Sequence, residues 1–263
     1  MTRIGVVEYR NTLPLAFGLE THVPGAAVTA GTPGAISDAL EAGRLDVGLV
    51  PVVTAHAHPE WDWVPGLGIA CDGPVDSVLV LARGTLPGAE SLATDPASRT
   101  SNLLAQIVLE DLLKTPLEVV PGPAALRERL EAADAAVVIG DAALFFDDPG
   151  VERLDLGEAW KRSTGLPFVF AVWAGPRAAD PALAEGLRRC YAANAGRLSD
   201  LARMAGGGDL RREAAVLDYL RHRVVYELTE AADRSMALFR ERCSRLAAGA
   251  PTAAAGKAPH ART

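Results

Sequence analysis

Residues 3–13, RIGVVEYRNTL, decide the reading of this chain. Ile4, Gly5, Val6 and Val7 make a short β-rich run that stops at a polar cluster of Glu8, Tyr9, Arg10, Asn11 and Thr12. The mostly apolar stretch 13–19, LPLAFGL, is expected to continue as a helix. A strand that opens into polar side chains and then a helix start is where open α/β sheets place a ligand, outside the carboxyl ends of the strands. Asn11 and Thr12 are each able to cap that helix, while its free N–H groups face an anion. A plain capped turn would look the same over this stretch, so the rest of the chain decides.

Downstream, strand-like and helix-like segments alternate. Residues 26–30 read as a second strand. Thr32 supplies an N-cap and Pro33 a first-turn proline for a helix with Ile36, Ala39 and Leu40 on one face, and Gly43 ends it. Residues 46–51 form a buried strand, and 75–83 another, rich in Val and Leu. This βαβ rhythm predicts a mainly parallel sheet covered by helices.

A second unit begins near Gly84. It has strands at 91–94, 117–120 and 135–139, a helix with Leu103, Leu104, Ile107, Val108 and Leu112 at helical spacing, and another helix over 123–132. A strand over 151–156 and a helix around Trp160 close it. The apolar run 168–173, FVFAVW, then leads back toward the first unit. From 181 to about 248 the pattern is helical, with breaks at 206–208 and around Arg223. Residues 249–263, rich in Ala, Gly and Pro without apolar periodicity, are expected to be a disordered tail. The organisation expected is a first lobe from 1–83 plus 174–248 and an inserted second lobe over 84–173. Such clamps close by hinge motion on a ligand held between their lobes.

Composition narrows the function classes. A chain of 263 residues, 49% of them hydrophobic, can fill two lobes of roughly 100 residues or more. A net charge of −7 argues against a nucleic-acid partner, but leaves room for an anionic small molecule in a locally positive pocket. Cys71, Cys190 and Cys243 are far apart, without CxxC or Cys/His spacing, so reduced buried thiols are expected, with no metal site. The N-terminus runs straight into a strand without a signal-peptide pattern, and no apolar run reaches the roughly 18 residues of a membrane span. The expectation is a soluble, cytoplasmic protein without a membrane partner, either monomer or dimer.

Six segments carry a more specific message. NTLPL at 11–15, LEAGRLDVGLVPV at 40–52, DGPVDSVLVLAR at 72–83, DPASRTS at 95–101, IGDAAL at 139–144 and TGLPFVFAVW at 164–173 occur in this order. Together they resemble the chorismate dehydratase family of the futalosine route to menaquinone, densely over about 3–175 and loosely beyond. The resemblance implies an α/β, two-lobe type II periplasmic-binding-protein-like fold with an interlobe cleft. It also implies a lyase that removes water from chorismate to give 3-[(1-carboxyvinyl)oxy]benzoate, with no cofactor.

Chorismate carries two carboxylates, so its cleft should offer two anion sites. Ser98, Arg99, Thr100 and Ser101, at a helix start, supply hydroxyls, orphan N–H groups and one cation. Asn11 is the first choice on the other lobe, because a neutral amide can bond a carboxylate or a leaving hydroxyl without adding charge. Ser77 interrupts an apolar strand, and Asp141 follows a buried strand, where it either orients the substrate hydroxyl or caps a short helix. Asn11 and Asp141 are the catalytic candidates; Tyr9, Ser77, Ser98, Arg99, Thr100 and Ser101 the substrate-binding ones. Trp160, Phe168 and Trp173 read as core, and none of the five histidines is a clear base, although His56 and His58 follow a strand.

The base that takes the C3 proton is Glu8, Asp141 or the enolpyruvyl carboxylate of the substrate itself, the last ranked first because the matching motifs bring Asn, Ser and Thr rather than a base. Two other readings compete: the sister enzyme that forms a dihydroxynaphthoate, expected to use a cleft histidine, and a non-catalytic solute-binding protein, which would carry an export signal.

Overall fold

The computed structural model describes residues 1–249, and the expected disordered tail from 250 onward lies outside the described residues. The strands are β1 (Thr2–Val7), β2 (Ala26–Gly31), β3 (Val47–Pro51), β4 (Asp62–Cys71), β5 (Val78–Ala82), β6 (Ser91–Ala93), β7 (Glu118–Val120), β8 (Ala135–Ile139), β9 (Glu152–Asp155), β10 (Phe168–Gly175) and β11 (Val225–Glu227). The helices are α1 (Leu13–Ala16), α2 (Leu19–His22), α3 (Pro33–Glu41), α4 (Val52–Ala57), α5 (Arg99–Leu113), α6 (Leu126–Ala132), α7 (Asp141–Leu144), α8 (Leu156–Thr164), α9 (Pro181–Ala195), α10 (Leu198–Gly206), α11 (Leu210–Asp218) and α12 (Glu230–Ala247).

The strands form a six-stranded sheet, β11-β4-β10-β3-β1-β2, and a five-stranded sheet, β7-β6-β8-β5-β9. Both are mixed, which corrects the expected mainly parallel arrangement. In the first sheet β1 lies parallel to β2 and β3, but β10 runs antiparallel to β3 and β4, and β11 antiparallel to β4. In the second, β6 is parallel to β7 and β8, whereas β5 is antiparallel to β8 and β9. The parallel pairs come from βαβ crossovers; the antiparallel ones come from strands that leave or re-enter a sheet. Pro65, Gly66 and Gly68 hide the apolar pattern of β4 in the sequence.

Two strands sit in the sheet opposite to the one expected. β5, expected in the first lobe, pairs in the second sheet, and β10, expected in the second lobe, pairs in the first. The chain therefore changes sheet over 72–77 and again over 156–167, not at Gly84 and Trp173. Both connections hold a glycine and a proline, Gly73 with Pro74 and Gly165 with Pro167, which suit a turn out of one sheet better than a continuing strand.

The apolar pattern explains how each sheet is covered. β3 is buried at every position. β5 divides by alternation: Val78, Val80 and Ala82 join the larger core, while Leu79 and Leu81 join a second cluster with Ala93, Leu130 and Val138. Thr32 caps α3 as expected, its hydroxyl accepting from the N–H of Ala35 at 3.2 Å. A side chain at Gly5 would meet Ile36 Cγ2 at 2.7 Å, so the glycine lets α3 lie close on β1. α12 packs on α4, α5 and β10; its Arg242 pairs with Asp111 of α5 at 2.6 Å, and its Ser235 Oγ accepts from Trp160 Nε1 of α8 at 3.0 Å. Trp160, Phe168 and Trp173 are fully buried. No helix among the described residues is long and apolar enough to cross a membrane.

Candidate active site

A cleft opens between the two sheets, lined by residues of both. Its walls are apolar, with Leu49, Ile69 and Phe170 from the first sheet and Val78 and Ile139 from the second. Its polar groups are all neutral: Tyr9, Asn11, Thr12, Ser77, Ser98, Thr100 and Ser101. Among the described residues, no charged side chain lines it.

Asn11 is delivered by a tight turn, Arg10–Thr12, directly after β1. Neither Asn11 nor Thr12 makes a capping hydrogen bond. The amide Nδ2 instead donates to the phenol oxygen of Tyr219 at 3.1 Å, and Thr12 Oγ1 donates to Asn11 Oδ1 at 3.5 Å. Ser77, 2% exposed, sits at the end of the connection between the sheets and lies 2.8 Å from the same phenol oxygen. That connection is tied down on both sides. Asp155 accepts from the N–H groups of Val75 and Asp76, and Asp76, in the left-handed region at φ 59°, pairs with Arg223 at 2.6 Å. Burial pushes the Tyr219 phenol up to about 12, against the pull of its Ser77 and Asn11 partners, so it is a neutral phenol near neutral pH.

The second polar edge is the start of α5. Ser98 caps the helix, its Oγ accepting from the N–H of Ser101 at 3.1 Å. The first N–H groups of a helix lack partners within it, and the helix dipole adds partial positive charge there. Thr100 is 3% exposed, lines the cleft and has no hydrogen-bond partner for its hydroxyl. A buried ion pair holds the turn before the helix: Arg129 Nη2 lies 3.0 Å from Asp95 Oδ2, with both side chains under a tenth exposed. Asn102 fastens the turn, accepting from the N–H of Asp95 at 2.8 Å and donating back to its carbonyl.

The structure brings Tyr9, Asn11, Ser77, Ser98, Thr100 and Ser101 to one cleft, but not Arg99 or Asp141. Arg99 points away to α3, pairing with Asp38 at 2.7 Å and Glu41 at 3.0 Å. As the first residue of α5 it projects about 100° round the helix from Thr100. Asp141 is half exposed and paired with Arg10, whose guanidinium lies over Phe145, while only its neighbour Gly140 reaches the cleft. Glu8 is exposed and belongs to an adjoining open groove. His56 packs edge-on to Trp63 and His58 stacks on Trp61; neither these two nor His22 or His222 lines the cleft.

The sequence does not mark Tyr219, because it stands in a helical stretch where an aromatic reads as core. It opens a π-helical turn, Tyr219–Arg223, that ends at β11, an edge strand too short to be visible by alternation. Phe170 reads in the sequence only as part of an apolar strand.

Two mixed sheets facing one cleft define a two-lobed fold of the periplasmic-binding-protein kind. A Candida albicans gene product described as showing the generic periplasmic binding protein structural fold is similar at a TM-score of 0.66 and 8% identity, over 96% of this chain and 92% of that one. Residues 2–245 match the family model described as menaquinone biosynthesis, and the chain belongs to that family. It is 31% identical over 224 residues to the chorismate dehydratase of Thermus thermophilus, covering 76% of this chain and 79% of that protein. It is 30% identical over 175 residues to the chorismate dehydratase of Campylobacter jejuni, covering 64% of each.

Proposed function

We propose that this chain is a lyase that dehydrates chorismate to 3-[(1-carboxyvinyl)oxy]benzoate, in the cytoplasm and on the futalosine route to menaquinone. The curated relatives of that activity support the reaction, and the uncharged lining of the cleft supports how it runs. A dianion entering a site without carboxylates meets no like charge. Its two carboxylates have the start of α5, with Ser98, Thr100 and Ser101, and the Asn11 amide as neutral partners.

The reaction takes a proton from C3 and hydroxide from C4. The C3–H electron pair becomes the new ring double bond as the C4–O bond breaks, and the proton and hydroxide leave together as water. Aromatisation supplies the driving force, so positioning and help to the leaving group carry the catalysis. The base is the substrate's own enolpyruvyl carboxylate, close to C3 by connectivity. Glu8 and Asp141 do not line the cleft, which favours this route over a protein carboxylate. Asn11 and Ser77 hold the leaving hydroxyl and the ether side chain in register.

Incubating the protein with chorismate and following the aromatic product by absorbance and mass tests the proposal. Loss of one water with appearance of the carboxyvinyloxybenzoate is expected. Chorismate that persists unchanged contradicts it.

A further inference from the structure

From the shared phenol we infer that Tyr219 is a positioning residue that fixes the hydrogen-bond polarity of Ser77 toward the substrate. The inference deepens the proposed dehydration and rests on it. Tyr219 is 3% exposed and does not line the cleft, yet its hydroxyl touches two residues that do. A phenol has one hydrogen to give. The Asn11 amide donates to the phenol oxygen, an orientation in keeping with Thr12 Oγ1 donating to Asn11 Oδ1. The phenol hydrogen therefore goes to its other neighbour, Ser77 Oγ, 2.8 Å away. With its oxygen accepting that bond, Ser77 turns its own hydrogen into the cleft.

The chain of donors runs Asn11 to Tyr219 to Ser77 to ligand. A serine held this way is a donor by construction, which is what a departing hydroxyl needs as negative charge gathers on its oxygen. Without the phenol hydroxyl, the Ser77 hydrogen can turn back and its lone pairs face the leaving oxygen. Burial keeps the relay in one protonation state, since the phenol titrates only at about 12. The turn that carries Tyr219 is also pinned from its far end, where Arg223 pairs with Asp76, the residue before Ser77. Two ties thus hold the phenol against the serine.

Tyr219→Phe removes the hydroxyl and keeps the ring. The variant is compared with Ser77→Ala and with the double variant, each kcat being normalised to the number of product-binding sites so that a partly folded preparation still reports. The expected result for Tyr219→Phe is a fall in kcat of about 10–100-fold with KM within about threefold. On the Ser77→Ala background the same change should cost less than about twofold, because its effect passes through the serine. A Tyr219→Phe kcat within twofold of wild type overturns the inference, as do losses that multiply in the double variant. Wild-type protein that leaves chorismate untouched overturns the functional reading and this inference together; active wild type with an unaffected Tyr219→Phe overturns the inference alone.

Discussion

Arg99 on α5 and Asp38 on α3 form an ion pair, Nη2 to Oδ1 at 2.7 Å, that bridges the two sheets' helical layers beside the cleft. With Glu41 as a second acceptor at 3.0 Å, the guanidinium has its counter-charges before any ligand arrives. The arginine that the motif offered as a carboxylate binder thus ties one lobe to the other. Its neighbours Ser98, Thr100 and Ser101 keep the cleft for themselves.

Arg99→Ala should accordingly leave affinity for the aromatic product within about threefold. A pair with side chains 43% and 63% exposed contributes about 1 kcal/mol or less, and salt screens it. Calorimetric titration checks this, and a loss of tenfold or more would place Arg99 on the ligand.

Glu8→Gln and Asp141→Asn, made singly, should both retain turnover within about tenfold of wild type. Neither carboxylate lines the cleft, so neither is placed to take the C3 proton. Asp141→Asn should lower stability by about 1 kcal/mol, since it weakens a charged hydrogen bond to Arg10. Steady-state rates and urea melts separate the two effects. Abolished turnover with product binding intact would make that residue the base.

Arg129→Met should cost about 3–5 kcal/mol of stability, because it strands Asp95 as a buried carboxylate without its cation. It also removes donors to the carbonyls of Pro123 and Ala124, both at 3.0 Å. Denaturant unfolding measures the loss, and a change below 1 kcal/mol would mean that Asp95 finds another partner.

What was legible in the sequence follows the strength of local signals. Thr32, Pro33 and Gly43 marked α3 because a cap, a first-turn proline and a terminal glycine leave few alternatives. The strands β3 and β8 showed as continuous apolar runs. Sheet membership did not show, because β5 looks the same whichever sheet it joins; the pairing is decided by β8 and β9, far along the chain. At the site, Asn11, Ser77 and the start of α5 stood out as polar groups where strands end or a helix begins. Arg99 and Asp141 shared that local signature, yet a helix start sends successive side chains to different sides, and only tertiary packing decides which side faces the cleft. Tyr219 left no local trace, since its role lies in two partners from distant segments.

The central claim is that a neutral amide at position 11 serves a dianionic substrate, and turnover by Asn11→Asp tests it most directly. The substitution keeps the shape and puts a negative oxygen where the amide donates to Tyr219 and faces the cleft. Two like charges about 4 Å apart repel by about 4 kcal/mol at an effective dielectric of about 20. Chorismate consumption should therefore fall a hundredfold or more while the melting midpoint stays within a few degrees of wild type. Consumption close to the wild-type rate would contradict the account, because Asn11 would then be a residue of the turn and not of the reaction.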